Sequence, residues 1–152
     1  MANFGKNNLM RHNARETAVQ ALYQWQLSGR SVYEIFDEFT EYHTKKNSKP
    51  TGRFEVNLEY LKELLIHISE NFSTIDEVFA PYLDRPLNEV DPIELAILRI
   101  GTFELAHKLE IPYKVVINES LELTKKFGSI EGFKFVNSIM DKVAKKLRPI
   151  ES

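Results

Sequence analysis

The 152-residue chain contains no cysteine. Structural disulfides and thiolate metal sites are therefore excluded, and a reducing cytoplasm fits the composition. Long apolar runs are missing too. No stretch approaches the roughly 20 residues of a membrane-spanning helix, and the N-terminus lacks the apolar segment of a secretion signal. The Asn-x-Ser matches at Asn71 and Asn118 then read as accidental. Glycine is scarce, and no glycine-rich phosphate loop occurs, since Gly128 and Gly132 sit alone near a helix junction. The four histidines (His12, His43, His67 and His107) lie far apart, none with a second ligand at metal-binding spacing. Paired carboxylates such as Asp91 with Glu94 read more simply as helix capping than as acid–base machinery. No enzymatic activity, cofactor or metal is expected from these residues.

What is present is apolar content and divided charge. At 43% hydrophobic, the chain can bury one good core or two small ones without metal or disulfide. The net charge of −2 is unevenly spread: residues 1–30 carry +3, residues 31–110 carry −8, and residues 111–152 carry +3. Basic ends around an acidic middle can present a local positive face. An ordinary solvated surface accounts for the same split.

Helical periodicity recurs throughout and no alternating strand pattern competes with it. Ala14, Ala18, Leu22 and Trp25 form a stripe that Gly29 stops. Ser31 can cap a second helix that turns Ile35, Phe36 and Phe39 inward. Residues 43–55 are polar and read as a long flexible loop. Leu58, Leu61, Leu65, Ile68 and Phe72 mark a third helix, and Ser73 can cap a fourth bearing Ile75, Val78, Phe79 and Tyr82. Leu83 to Val90, with Pro86, is the expected boundary between an N-terminal half of about 1–85 and a C-terminal half of about 86–152. Asp91-Pro92 is a strong helix start, with a capping carboxylate and proline at the first helical position. Ile93, Ile97, Ile100 and Glu104 follow at helical spacing, with Gly101 marking a close helix crossing. Val116, Ser120, Leu121 and Thr124 run to Gly128, and Val136, Ile139, Met140, Val143 and Leu147 line the last helix. The expectation is an all-α chain of about seven short helices in two bundled halves.

The end of the chain carries aromatics among lysines. Phe135 lies one residue off the core stripe of the last helix, on the side shared with Glu131, Ser138 and Lys142. Lys134 adjoins it, and Phe127 ends the preceding helix beside Lys125 and Lys126. Single-stranded RNA binding needs such residues, because bases stack on rings for about 1–3 kcal/mol each while ammonium groups hold phosphates. Half-buried packing is the competing reading of both phenylalanines. Arg11 and Arg15, four apart on one helix face, follow Lys6 on an arm expected to be mobile, and could clamp phosphates or simply be solvated.

Four ordered blocks then resemble a known family. They are Arg15-Glu16-x-Ala18-Val19-Gln20-Ala21-Leu22-Tyr23-x-Trp25; Leu98-Arg99-Ile100 with Glu104-Leu105; Pro112-Tyr113-Lys114-Val115-x-Ile117-Asn118-Glu119; and Lys134-Phe135-Val136-Asn137 with Asp141-Lys142. Together they resemble the bacterial NusB family of transcription antitermination factors over nearly the whole chain. The resemblance implies one NusB-like domain of two three-helix-like subdomains, without catalysis. It implies binding of the boxA element of nascent ribosomal RNA leaders together with NusE, a small-subunit ribosomal protein, in a complex that joins elongating RNA polymerase in the cytoplasm. By the family pattern, RNA contacts fall on Arg11, Arg15, Tyr82, Arg99, Phe127, Glu131, Lys134 and Phe135, and the NusE surface includes Tyr23 and Glu94.

The chain departs from the pattern in three places. Some relatives carry a denser arginine run before Arg15, where this chain has Arg11-His12-Asn13-Ala14, which implies weaker unaided RNA binding. The polar stretch at 43–55 is longer than the family leads one to expect, and Glu131 replaces an aspartate found in some relatives. Two other readings remain open. Related all-α domains occur at the N-terminus of RNA cytosine methyltransferases, where a Rossmann-type domain follows; none follows here before Ser152. A pure protein-interaction scaffold would show no preference for boxA.

Overall fold

The computed structural model describes residues 2–46 and 55–151, and among them every regular element is helical. Helices α1 (Ala2–Ser28), α2 (Val32–Lys46) and α3 (Leu58–Phe79) are followed by two single 3₁₀ turns, Ala80–Tyr82 and Leu87–Glu89. Helices α4 (Pro92–His107), α5 (Tyr113–Phe127) and α6 (Ile130–Leu147) complete the order. The count is six α-helices against an expected seven, because the third and fourth expected helices are one element. No fresh start occurs at Ser73. The chain stays helical through a single distorted residue, Asn71 (φ −128°, ψ 22°). Among the described residues no helix is long and apolar enough to cross a membrane.

The chain divides into two compact units, Met1–Glu70 and Asn71–Ser152. The division falls at the Asn71 distortion, earlier than the Leu83 to Val90 stretch marked by Pro86.

In the first unit, Ala14, Ala18 and Leu22 of α1 are fully buried with Ile35 of α2 and Leu61, Leu64 and Ile68 of α3. These positions recur every three or four residues, so each helix buries one apolar stripe. Gly29 ends α1 in the left-handed region (φ +71°), donating its N–H to the Trp25 carbonyl at 3.0 Å. Ser31 caps α2, its Oγ accepting from Tyr33 N at 3.2 Å. Asn57 caps α3, accepting from Tyr60 N at 2.9 Å.

Two expectations for this unit need correction. Lys6 is not on a loose arm: α1 begins at Ala2, and the Lys6 ammonium lies 3.3 Å from Glu55. The chain re-enters there, with Asn13 Nδ2 donating to the Glu55 carbonyl at 2.7 Å and Asn57 N to the Met10 carbonyl at 3.1 Å. Residues 43–46 belong to α2 rather than to a loop; residues 47–54 lie outside the described residues.

In the second unit α4 is the central element, with Ala96 through Leu105 all buried. Asp91 caps it, accepting from Ile93 N at 2.9 Å and Glu94 N at 3.1 Å, with Pro92 next. Gly101 sits at a close approach of α4 to α5 and α6. A Cβ there would sit 2.6 Å from Met140 Cε of α6 and 2.8 Å from Ser120 Oγ of α5. The end of α4 is closed by Arg148, a buried residue with no sequence signal. Its guanidinium donates to the carbonyls of Leu105, Ile111 and Lys108 at 2.9, 3.0 and 3.1 Å, satisfying oxygens that the helix terminus leaves unpaired.

Candidate nucleic-acid interface

Within the second unit, α6 and the segment after α3 border one cleft. Ser129 starts α6 by accepting from Gly132 N at 3.0 Å. Apolar Val136, Ile139, Met140 and Val143 turn inward. Helical spacing then puts Glu131, Phe135, Ser138 and Lys142 along one edge. These four line the cleft, of about 360 Å³, together with Lys134, Tyr82, Asp84, Arg85 and Ile139. Four residues singled out in sequence (Tyr82, Glu131, Lys134 and Phe135) are thus brought together from two elements. Phe135 is half-buried, so its ring both packs and shows an accessible portion.

Arg85 was not singled out in sequence. Its guanidinium carbon lies 4.3 Å from the centroid of the Phe135 ring, a close cation–π contact. Its Nε donates to Asp84 Oδ1 at 2.7 Å and its Nη2 to Asp84 Oδ2 at 3.3 Å. The only sequence signal was an arginine beside proline in the stretch between helices, which does not name a partner 50 residues on.

A second, more apolar hollow of about 370 Å³ lies at the α5–α6 junction, lined by Thr124, Lys125, Gly128, Ser129, Ile130, Phe133 and Lys134. Lys134 borders both hollows. Phe127, also half-buried, lines neither, and carries the Lys126 ammonium 5.7 Å from its ring centroid.

Arg99 stands elsewhere. It is 6% exposed, and its Nε and Nη2 donate to Asp76 at 2.9 and 2.7 Å. A guanidinium committed in this way to a buried carboxylate is held away from phosphate. The pair instead ties α4 to the last turns of α3, which lead into Tyr82 and Arg85. In the first unit, Arg11 is half-buried with its guanidinium carbon 4.4 Å from the Tyr60 ring centroid, whereas Arg15 is buried at 5.7 Å from the same ring. One ring therefore organises both arginines, and Arg11 is the more accessible.

The two residues expected to face a protein partner differ in setting. Tyr23 is 37% exposed, so its ring is accessible on α1. Glu94, in the first turn of α4, is buried, and its carboxylate sits where a Cβ on Gly132 would overlap it. A carboxylate in the first turn of a helix is ordinarily favoured in its ionised form by the backbone dipole. Instead burial pushes the carboxyl above its ordinary value, the neighbouring Asp91 charge adds to this, and Arg85 opposes it. Among the described residues no group of three or more histidine and carboxylate side chains could hold a metal ion.

Comparison with known proteins bears on this geometry. A family model described as the NusB family matches residues 12–145. A transcription antitermination protein NusB from Nitrosococcus oceani is 47% identical over 141 residues, covering 93% of this chain and 89% of its own length. One from Idiomarina loihiensis is 44% identical over 140 residues, covering 91% and 94%. Among solved structures, T. maritima NusB matches with a TM-score of 0.75 at 28% identity, covering 90% of this chain and 91% of its own. A complex of antitermination factors NusB and NusE with double-stranded RNA matches at 0.71 and 29%, covering 89% and 96%. The matched span holds α3 through α5 entire and most of α1 and α6, and with them every residue of the cleft: the chain belongs to the NusB family, whose relatives are transcription antitermination proteins.

Proposed function

We propose that this chain, acting as one NusB-like domain, binds single-stranded boxA RNA of nascent ribosomal RNA leaders together with NusE. The bound pair would join elongating RNA polymerase in the cytoplasm and let it pass terminators. The factor works by binding, with no catalytic step. The observation that carries the reading is the α6 cleft, where a half-buried ring, two lysines and an arginine surround one hollow. Rings and cations at that spacing suit unstacked bases and their phosphates, which a duplex would keep inside its stack. The complex of NusB and NusE with double-stranded RNA among the structural relatives supports NusE and RNA as partners, while the single-stranded form rests on the cleft.

Within this reading Tyr82, Lys134 and Phe135 meet RNA directly, with Glu131 accepting from base edges and Phe127 stacking at the end of α5. Arg11 supplies a phosphate contact from the first unit, with Arg15 behind it against Tyr60. Arg99 contributes by holding Asp76, and so by fixing the segment that carries Tyr82. Tyr23 and Glu94 face NusE, where a buried carboxylate costs the free protein stability that a basic partner can return.

The test is a fluorescence anisotropy titration of boxA-like RNA and a scrambled RNA of equal length, with and without NusE, across a salt series. The reading expects a preference for boxA that NusE enlarges, and an affinity that falls linearly with salt on logarithmic axes. Equal affinity for both RNAs under all conditions would leave a protein-interaction scaffold as the function.

A further inference from the structure

Resting on that reading of the cleft, we infer that Arg85 is itself an RNA-contacting residue: its guanidinium, laid over Phe135, forms the outer layer of a two-layer platform on which a base stacks. Phe135 anchors the platform in α6, and Arg85 reaches it from the segment after α3. A base arriving at that ring face meets the guanidinium first. Planar guanidinium groups stack bases as aromatic rings do, and the ring beneath strengthens the hold on the cation.

Asp84 sets the orientation. It takes the Nε and Nη2 donors at 2.7 and 3.3 Å, which fixes one edge of the fork. Nη1 makes no hydrogen bond among the described residues, and the side chain is 39% exposed. The group therefore offers a base one surface and a phosphate oxygen one donor. Lys134 and Lys142 line the same cleft, so the sugar–phosphate chain on either side of the stacked base meets positive charge. A lysine at position 85 would keep the charge and lose the plane.

Two other roles for Arg85 make opposite forecasts. If it merely shields Phe135 and must be displaced, removing it tightens RNA binding. If it is only a point charge, lysine replaces it.

The experiment titrates boxA-like RNA against the full chain in the presence of NusE, for wild type, Arg85→Ala, Arg85→Lys, Phe135→Ala and the Arg85→Ala/Phe135→Ala double variant. Melting curves confirm that each is folded. A platform predicts that Arg85→Ala and Arg85→Lys each lose about five- to 150-fold in affinity, the range of one stacked base. Arg85→Lys keeps the wild-type salt slope, whereas Arg85→Ala flattens it by about 0.7. The double variant should bind no more weakly than its weaker single parent, because the two groups act as one unit. Wild-type or tighter binding by Arg85→Ala, or full recovery by Arg85→Lys, overturns the platform while Phe135→Ala still reports on the cleft. Absence of RNA binding by the wild type overturns the platform and the proposed function together.

Discussion

Replacing Asp76 with Asn should destabilise the protein more than any single change on its surface. The two side chains of the Asp76–Arg99 pair are 9% and 8% exposed, and the contact is made through two hydrogen bonds of 2.9 and 2.7 Å. Asparagine preserves the shape but removes the negative charge that faces the guanidinium in a buried site. Breaking one side of a buried pair costs about 3–5 kcal/mol, against a total stability of about 5–15 kcal/mol for a domain of this kind. At roughly 2–4 °C per kcal/mol for a chain of about 150 residues, Tm should fall by about 10 °C or more. Thermal unfolding followed by circular dichroism at pH 7 measures it. The companion variant, Asp76→Leu with Arg99→Met, removes both charges at once and should recover most of the loss. RNA affinity of that folded double variant should stay within about twofold of wild type if Arg99 acts only by positioning. A Tm change of under about 2 °C in Asp76→Asn would refute the assignment of the pair as a buried tie. A tenfold loss of RNA affinity in the well-folded double variant would place Arg99 in the RNA contact itself.

Four further outcomes follow from the same geometry. Phe127→Ala and Phe135→Ala should each weaken RNA binding by about 1–3 kcal/mol with modest loss of Tm; collapse of Tm with unchanged affinity per folded molecule would make both rings packing residues. Arg11→Gln with Lys134→Gln should flatten the salt dependence by about 1.4, since each single-strand phosphate contact contributes about 0.7, and an unchanged slope would remove both from the site. Glu94→Gln should stabilise the free protein at neutral pH. The folded carboxyl is held above its ordinary 4.5, so the native state binds its proton more tightly, and ionisation costs stability as pH rises through the raised value; the advantage of Gln should vanish below about pH 4, and a Gln variant less stable than wild type at pH 7 but equal at pH 4 would contradict the sign. Glu94→Lys should abolish co-purification with NusE while keeping the helical circular dichroism, and a wild-type yield would put the partner surface elsewhere.

The parts of this molecule that sequence made legible are those with short-range causes. Asp91-Pro92, Ser31 and Gly29 act on backbone groups within four residues, so their roles as caps and stop could be read from local chemistry. The apolar stripes and the close crossing at Gly101 follow from helical spacing and the lack of a side chain. The edge of α6 bearing Glu131, Phe135, Ser138 and Lys142 is likewise a matter of counting turns. The failures are pairings across long separations. Arg99 is an RNA contact by the family pattern alone, and no local pattern announces its hydrogen bonds to Asp76, 23 residues earlier. Arg148 reaches back about 40 residues to carbonyls that no pattern marks. Glu94 lies against Gly132 of α6, a contact that no local pattern marks, and its burial there raises its carboxyl above the ordinary value. Asn71 shows the limit of capping arguments, because a helix can pass a plausible start at Ser73 with one distorted residue.

The central claim is that the cleft of α6 receives single-stranded RNA. An isotope-labelled sample of the full chain, titrated with boxA-like RNA in the presence of unlabelled NusE and followed by NMR, tests it most directly. The account predicts that the largest RNA-dependent shifts fall on Arg85, Glu131, Lys134, Phe135 and Lys142. Shifts that leave these five unmoved and gather instead around the apolar hollow at Leu109, Leu147 and Ile150 would contradict it.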